Sequence, residues 1–421
     1  MVPMKFPSIS ILVPSAIFIS VTLYSFHGYL LSSDDNNTKP LILPEDANPR
    51  DSVRKEYPGN LTSPSSPSSG GCDLYRGRWV YDPVGPLYTN SSCPVITQTQ
   101  NCQDNGRPDK DYENWRWKPD HCDLPRFDPW KFLHLMRGKT LAFVGDSAEV
   151  PKNRGSKRMH RWHFQSTDTM IIRIWSSWLV HRTDDPIGLA PKDVSKIHLD
   201  KPDENFMELL ASFDVVILSS GHWFAKRSAY IIDDNKIIGG QLWWPNKTQK
   251  MEVNNVQAFG ISTETIVSAI ANHPNYTGLT IVRSFSPDHY EGGAWNTGGS
   301  CTGVTTPATK LVINEFTNAM HKQQVEGFDR ALEKAKTNNN NNNSGDKLKL
   351  MDITDAFGYR HDGHPGPYRN TDPTKRTTRG LDGRPPPQDC LHWCMPGPVD
   401  TWNELVMEII RNEFQDPANL Y

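Results

Sequence analysis

The sequence lacks an excess of either charge. Its 421 residues include 45 Lys and Arg against 48 Asp and Glu, for a formal net charge of -3 at pH 7 and a pI near 6.5. The basic residues are scattered and matched by acidic ones. A protein that binds nucleic acid needs a concentrated basic surface to neutralise phosphates. The composition therefore argues against nucleic acid as a partner.

The sequence also lacks the paired cysteines of a zinc site. Cys390 and Cys394 are separated by three residues, but no second pair matches them, so we expect no metal. In an oxidising compartment the default fate of cysteines is disulfide formation, and spacing alone does not give the connectivity. The number of cysteines is odd, so one of them is left without a disulfide partner. The cysteines are Cys72, Cys93, Cys102, Cys122, Cys301, Cys390 and Cys394.

Long apolar runs are scarce, and residues 9–31 are the exception. At about 1.5 Å per residue this segment can cross a hydrocarbon core of roughly 30 Å. Lys5 precedes it and acidic residues follow it, which places residues 1–8 in the cytosol and the rest in the lumen. A cleaved signal peptide is the alternative, but no clear small-x-small cleavage site is present. We expect a signal anchor.

Residues 32–71 lack apolar periodicity and are rich in Ser, Pro, Asn and Asp, so they are expected to form a disordered lumenal stem. The folded part is expected to begin near Cys72. Six N-x-[ST] sequons agree with a glycosylated lumenal protein. The candidate sites are Asn36, Asn60, Asn90, Asn246, Asn275 and Asn342.

Residues 72–137 are aromatic, rich in proline and irregular, and they contain four cysteines. This predicts a disulfide-stapled, loop-rich subregion without a regular layer. The Trp and Tyr side chains are expected to cover the main domain, and stacking on sugar rings is the alternative.

From residue 138 to 421 short apolar runs alternate with helical stretches. The strand-like runs are "KTLAFVGDS", "MIIRIWSSWLV", "FDVVILSSGHW", "LTIVRSFS" and "KLKLMDIT"; the helical ones begin at "TETIVSAIANH", "ATKLVINEF" and "DTWNELVMEII". Alternation of this kind predicts an α/β/α sandwich around a mostly parallel sheet. The Asn-rich residues 337–346 are predicted to be a surface loop.

Candidate chemical groups follow the strands or lie near the C-terminus. Ser147, Gly221-His222 and the segment Phe285–His289 each come just after an apolar run, where the functional residues of open α/β sheets gather. Asp389 and His392 are three residues apart, so we expect them on one face of a helical turn. Asp389 directly precedes Cys390, and His392 lies between Cys390 and Cys394. Acyl transfer needs a nucleophile, a neutral His and an orienting carboxylate.

Several motifs together resemble one family. They are Gly145-Asp146-Ser147, "DCLHWCMPG" from Asp389, "CDLYRGRWVYD", "WRWKPDHCDLPRFD" and "HYEGGAWNTGGSC". This set resembles the plant trichome-birefringence-like family of polysaccharide O-acetyltransferases over Cys72 to the C-terminus. "HYEGGAWNTGGSC" and "DAFGYRHDGHPGPY" resemble its xyloglucan O-acetyltransferase branch most.

The resemblance implies an SGNH-hydrolase-like α/β/α domain on a single-pass type II Golgi membrane protein. It implies Ser147 as nucleophile, His392 as base and Asp389 as orienting acid, with an acetyl-serine intermediate and a polysaccharide acceptor such as xyloglucan. An acetyl donor is required and no bound cofactor is implied. The backbone N–H groups of Ser147 and Gly221 are candidate oxyanion donors.

This chain departs from the family directly after Ser147. Family members continue with a helix that carries a cysteine, whereas "AEVPKNRGSKRMHRWHF" follows here, so about 15 residues are missing. A shortened splice product or a faulty gene prediction would explain the gap. Losing the helix removes oxyanion donors, so the family's activity does not by itself imply that this chain is catalytically competent. A polysaccharide acetylesterase and an impaired wall-polysaccharide-binding protein are the alternatives.

The family pattern also implies a disulfide connectivity. It pairs Cys72 with Cys122, Cys102 with Cys394 and Cys301 with Cys390. Cys93 is left unpaired, because its partner would lie in the missing helix.

Overall fold

The computed structural model describes residues 72–145, 159–245, 250–338, 344–380, 383 and 385–414. The predicted head, anchor and stem, the predicted nucleophile Ser147 and the predicted gap after it all lie outside these residues. Among the helices of the described part, none is both long and apolar enough to span a membrane.

Strands and helices alternate through most of the chain. The strands are β1 (Gly77–Tyr81), β2 (Trp115–Pro119), β3 (Thr140–Gly145), β4 (Met159–Phe164), β5 (Thr169–Trp175), β6 (Val180–Thr183), β7 (Ser195–Pro202), β8 (Val215–Ser219), β9 (Ser228–Ile232), β10 (Lys236–Gln241), β11 (Leu279–Arg283) and β12 (Leu348–Met351). The α-helices are α1 (Pro129–Leu135), α2 (Glu204–Met207), α3 (Asn255–Ala271), α4 (Glu315–Asn338), α5 (Thr354–Phe357), α6 (Thr374–Thr377) and α7 (Asp400–Phe414).

The central sheet has six strands in the order β12-β11-β8-β3-β5-β4. Its neighbours pair in parallel except β4, which runs antiparallel to β5 at one edge. The five apolar runs predicted as strands form β3, β5, β8, β11 and β12, so the mostly parallel α/β prediction is confirmed. The sequence did not predict the second sheet, β10-β9-β7-β6, whose outer pairs are antiparallel.

Alternate residues of the central strands face two separate cores. Leu141 and Phe143 of β3 pack in the cluster that contains residues of α1 and α7. Ala142 and Val144 pack in the cluster that contains residues of α3 and α4. Because successive side chains of a strand point to opposite faces, a strand that is apolar at every position needs a layer on each side. This produces the three-layer sandwich.

Two predicted boundaries were wrong. The helical spacing from Ala308 predicts a helix that starts there, but α4 starts at Glu315. The side chain of Asn314 accepts a hydrogen bond of 2.7 Å from the backbone N–H of Thr317, which caps the helix at that point. At the other end α4 continues to Asn338, inside the stretch predicted as a loop.

The subregion of residues 72–137 is more regular than predicted, because β1 and β2 form an antiparallel pair from Gly77↔Pro119 to Tyr81↔Trp115. Its aromatic residues nevertheless cover the main domain, as expected. Trp117 is buried, and the Trp79 indole N–H donates a 2.7 Å hydrogen bond to the carbonyl of Ala356. The rings of Trp79 and Trp117 therefore pack in the core, whereas Tyr81 and Trp130 are more than half exposed.

Three disulfides form among the described residues, and one of them, Cys102–Cys394, joins the subregion to the sandwich. They are Cys72–Cys122, Cys102–Cys394 and Cys301–Cys390, the same pairs that the family pattern implies. Both sulfurs of the 390/394 pair are thus occupied by bridges, which is incompatible with a zinc–thiolate role. Cys93 is free and buried.

Candidate active site

Asp389 and His392 come together through a bend and not through the predicted helical turn. The Asp389 carboxylate accepts hydrogen bonds from the backbone N–H of Leu391 at 3.2 Å and of His392 at 2.9 Å. The Asp389 side chain thereby closes a turn with the backbone of the residues that follow it, as Asp side chains do where the chain leaves regular structure. The same carboxylate lies 2.9 and 2.8 Å from the Nδ1 atom of His392 through its two oxygens.

The electrostatics of this pair favour an ionised Asp389. Burial alone would raise the pKa of its carboxyl, but the imidazole of His392 and the guanidinium of Arg369 outweigh burial and hold the pKa well below its ordinary value. Arg369 Nη1 is 3.3 Å from Asp389 Oδ2. An ionised carboxylate at Nδ1 keeps the proton there and leaves Nε2 as the imidazole nitrogen that exchanges a proton with a hydroxyl group.

The segment that carries the pair is anchored from several directions. Cys390 is bridged to Cys301 and Cys394 to Cys102, so both ends of the bend are covalently held. The indole N–H of Trp393 donates a 3.1 Å hydrogen bond to the Ser286 hydroxyl, which follows β11. The pair therefore sits beside the carboxyl ends of the parallel strands, where α/β sheets form their ligand sites.

The structure describes one of the two candidate oxyanion residues, Gly221. Ser147 lies outside the described residues, and Gly145, the last residue of β3, pairs with Ser219 of the neighbouring strand β8. Gly221 is the second residue after the end of β8, with φ of 134°. A Cβ atom there would lie 2.6 Å from the ring of Phe285, so glycine is required by both conformation and space. The pairing of Gly145 with Ser219 places the end of β8 next to the end of β3.

Sequence reasoning missed one residue of this site, Arg369, and named His222 among its candidates. Arg369 gave no pattern signal, because its pairing with Asp389 is made across 20 residues of chain. His222, after Gly221, has its ring 4.4 Å from that of Phe285. Burial, then Arg283 and His392, lower the pKa of His222 to about 3, so it is neutral at physiological pH. The Gly-His dipeptide after a strand was the available signal.

Two of the six sequons are described. The Asn275 side chain is exposed at the surface. The Asn90 side chain is half-buried and its amide donates a 2.6 Å hydrogen bond to Asp104. Asn275 is therefore the more accessible of these two glycosylation candidates. Glycosylation at all six sites remains a prediction.

Comparison with known proteins extends over almost the whole described chain. The profile of the PC-Esterase family, a GDSL/SGNH-like acyl-esterase family found in Pmr5 and Cas1p, matches residues 124–155 and 148–409. The PMR5 N-terminal domain matches residues 70–123.

Similar proteins come from plants. Protein YLS7 of Arabidopsis thaliana is 64% identical over 361 residues, which cover 82% of this chain and 71% of that protein. Protein trichome birefringence-like 18 of Arabidopsis thaliana is 60% identical over 380 residues, covering 86% and 70%. Xyloglucan O-acetyltransferase 4 of Populus trichocarpa is 36% identical over 362 residues, covering 81% of each chain.

Proposed function

The chain belongs to the PC-esterase family of GDSL/SGNH-like acyl-esterases, whose members include plant xyloglucan O-acetyltransferases, and on that premise we propose that it acetylates a cell-wall polysaccharide in the Golgi. The acceptor is a side-chain sugar of xyloglucan. The observation that carries the proposal is the ionised, buried Asp389 held at 2.8 Å from Nδ1 of His392. This is the base-and-carboxylate half of an acyl-transfer site.

The reaction has two displacements. His392 Nε2 takes the proton of the Ser147 hydroxyl while Ser147 Oγ attacks the acetyl carbonyl of the donor, and the same proton then goes to the donor's leaving group. An acetyl-serine remains. A sugar hydroxyl next attacks it, His392 takes the hydroxyl proton and returns it to Ser147, and the acetylated sugar leaves. Asp389 stabilises the imidazolium that forms in each half.

A Golgi location follows from the same reasoning. Residues 9–31 would anchor the chain as a single-pass type II protein with residues 72–421 in the lumen. The three disulfides support this placement, because structural disulfides persist in oxidising compartments. Fluorescence microscopy of the tagged full chain, with and without residues 9–31, tests it.

One observation favours a second candidate function. The family profile matches in two segments that meet at residues 148–155, where the sequence departs from the family after Ser147. A chain that lacks the helix after its nucleophile loses oxyanion stabilisation, and one lost donor costs on the order of 100-fold or more in rate. An impaired wall-polysaccharide-binding protein is then the alternative. An acetylesterase is a further alternative on separate grounds, because water competes with the sugar for the acetyl-serine.

One experiment separates these functions. The full chain is incubated with p-nitrophenyl acetate as acetyl donor and a xyloglucan heptasaccharide, and the sugar is analysed by mass spectrometry. Acetylated sugar supports the transferase, and acetate without acetylated sugar supports the esterase. Absence of both products, with saturable binding of the sugar, supports the binding protein.

Matched variants tie the result to the site. Ser147→Ala is expected to abolish either product, whereas Ser166→Ala, at an exposed serine, is expected to leave the rate unchanged. Sequencing the source transcript across codons 147 to 151 tests the gap independently. A transcript that runs continuously through this junction, with no longer transcript from the same gene, would exclude both a splicing and a gene-prediction error.

A further inference from the structure

A second histidine, His364, lies directly behind His392. Its Nδ1 atom is 2.6 Å from the backbone carbonyl oxygen of His392. Its Nε2 atom is 2.7 Å from Nδ1 of His289, and Nε2 of His289 is 3.3 Å from the carbonyl oxygen of Gly358. The side chains of His364 and His289 are buried. The rings of His364 and His289 therefore form a continuous row between two backbone carbonyls, those of His392 and Gly358.

The number of protons decides how this row is wired. A carbonyl only accepts, so the 2.6 Å contact requires the proton on His364 Nδ1. Neutral His364 then accepts at Nε2, which requires the proton of His289 on its Nδ1. The third contact, to Gly358, is left without a proton in the neutral pair, and it is the longest of the three. Burial lowers the pKa of His289 to about 4 and that of His364 well below its ordinary value, which keeps both rings neutral.

The peptide groups on both sides of the His392 Cα atom are consequently held by side chains. Asp389 accepts from its backbone N–H at 2.9 Å, and His364 donates to its carbonyl at 2.6 Å. A buried carbonyl with no partner is costly, so this hydrogen bond restricts the rotation of the peptide group. With both peptide groups fixed, only side-chain torsions remain to orient the imidazole.

The segment that carries His364 is itself rigid. Its ring stacks on Trp393 with centroids 4.2 Å apart and planes at 24°. The Arg107 guanidinium donates to the carbonyls of Asp362 at 2.7 Å and of His364 at 2.9 Å. Gly366 and Asp389 exchange backbone hydrogen bonds of 2.8 and 3.0 Å. The segment that carries His364 is thus connected through Arg107 to the N-terminal subregion and through Gly366 to the bend that carries Asp389 and His392.

We propose that His364, supported by His289, is a positioning residue that holds the backbone of His392 and so fixes its imidazole against Asp389. The inference rests on the proposed role of His392 as the base. Histidine suits this place because its ring donates at one end and accepts at the other. An Asn side chain reaches only the Nδ1 end of such a ring, and a Gln side chain only the Nε2 end.

This difference between Asn and Gln provides the test. His364→Asn keeps a donor for the His392 carbonyl, and His364→Gln keeps only the contact with His289. The readout is the Nδ1–H proton resonance of His392 in histidine-labelled full chain, assigned by its loss in His392→Ala. We expect the exchange of this proton with water to be about tenfold faster in His364→Gln and nearly unchanged in His364→Asn, the factor that one hydrogen bond contributes.

Controls separate positioning from a general loss of stability. Urea unfolding is expected to show similar stability losses in both variants, and His121→Asn, at an exposed histidine, is expected to change neither property. Equal exchange rates in His364→Asn and His364→Gln would overturn the proposal. If His364→Gln does not fold, the same comparison is made between His289→Asn and His289→Leu, where faster exchange in the Leu variant alone is expected and equal rates overturn it.

The readout does not require turnover. If the chain transfers no acetyl group, the proposed function fails while the exchange rates still decide the role of His364. If it does transfer acetyl groups, His364→Gln is expected to lower kcat with little change in KM, because the acceptor site is untouched.

Discussion

Arg369 Nη1 lies 3.3 Å from Asp389 Oδ2, so a guanidinium from the turn Pro367–Arg369 partly neutralises the carboxylate that orients His392. The carboxylate already accepts hydrogen bonds from two backbone N–H groups of its own bend. A buried carboxylate with this many partners stays ionised. Removing its cationic partner leaves an uncompensated buried charge, which destabilises the fold.

Replacing this cation is expected to destabilise the fold in a pH-dependent way. Arg369→Leu should lower the free energy of unfolding at pH 7 by about 1–3 kcal/mol. The folded-state pKa of Asp389 is depressed, so its stabilisation is present above the unfolded value near 4 and is lost as the pH falls. Without the guanidinium the folded-state pKa of Asp389 is expected to rise toward the unfolded value, so the carboxyl of the variant takes up its proton at a higher pH than that of the parent. Urea unfolding at pH 7 and pH 3 should therefore show a smaller difference between variant and parent at pH 3. Arg379→Leu, at an exposed arginine, is the control, and a pH-independent difference would contradict the assignment.

Removing the charge of Asp389 should impair acyl chemistry without disrupting the bend. In Asp389→Asn an amide can donate to Nδ1 of His392 and force the imidazole proton to Nε2, the wrong tautomer for a base. We expect the acetyl-transfer or ester-hydrolysis rate to fall by roughly 10³- to 10⁴-fold relative to the parent chain. Product is measured by mass spectrometry, and Asp120→Asn, at an exposed site, serves as control. A loss below tenfold would show that the carboxylate charge is not used.

Two carboxyl groups at the start of α7 should make stability fall with rising pH. Withdrawal from water raises the pKa of Asp400 to about 7 and that of Glu404 to about 7. The folded state then holds protons that the unfolded state releases, so stability is highest below pH 4 on this account and decreases between pH 4 and pH 7. Thermal unfolding of Glu404→Gln should show a shallower decrease across that window. Glu291→Gln, at an exposed residue, should follow the parent.

The unpaired thiol of Cys93 should be protected in the folded chain. The side chain is 2% exposed, and burial raises the pKa of its thiol, so little reactive thiolate is present. Iodoacetamide is expected to modify the native chain slowly and to modify one thiol per chain in denaturant without reductant. Cys93→Ser should remove that signal. More than one modified thiol would show that a disulfide has not formed.

The sequence was most predictive where periodicity has one physical cause. The five apolar runs became strands of the central sheet, and the stretch from Asp400 to Phe414 became α7 as predicted, because burial on one or two faces requires those periods. It was less predictive where local hydrogen bonds compete with periodicity. Asn314 capped α4 so that the helix starts seven residues after the predicted start, and the Asp389 carboxylate replaced a helical turn with a bend.

The sequence by itself therefore determined the layers of the fold, the family resemblance and the identity of the Asp389–His392 pair, since these depend on residue type and spacing. The tertiary structure alone decided what surrounds that pair. Arg369 at the carboxylate and His364 behind the base come from segments 20 and 28 residues away, so no local pattern reveals them. Their positions depend on disulfides and buried hydrogen bonds that close only when the whole domain has packed.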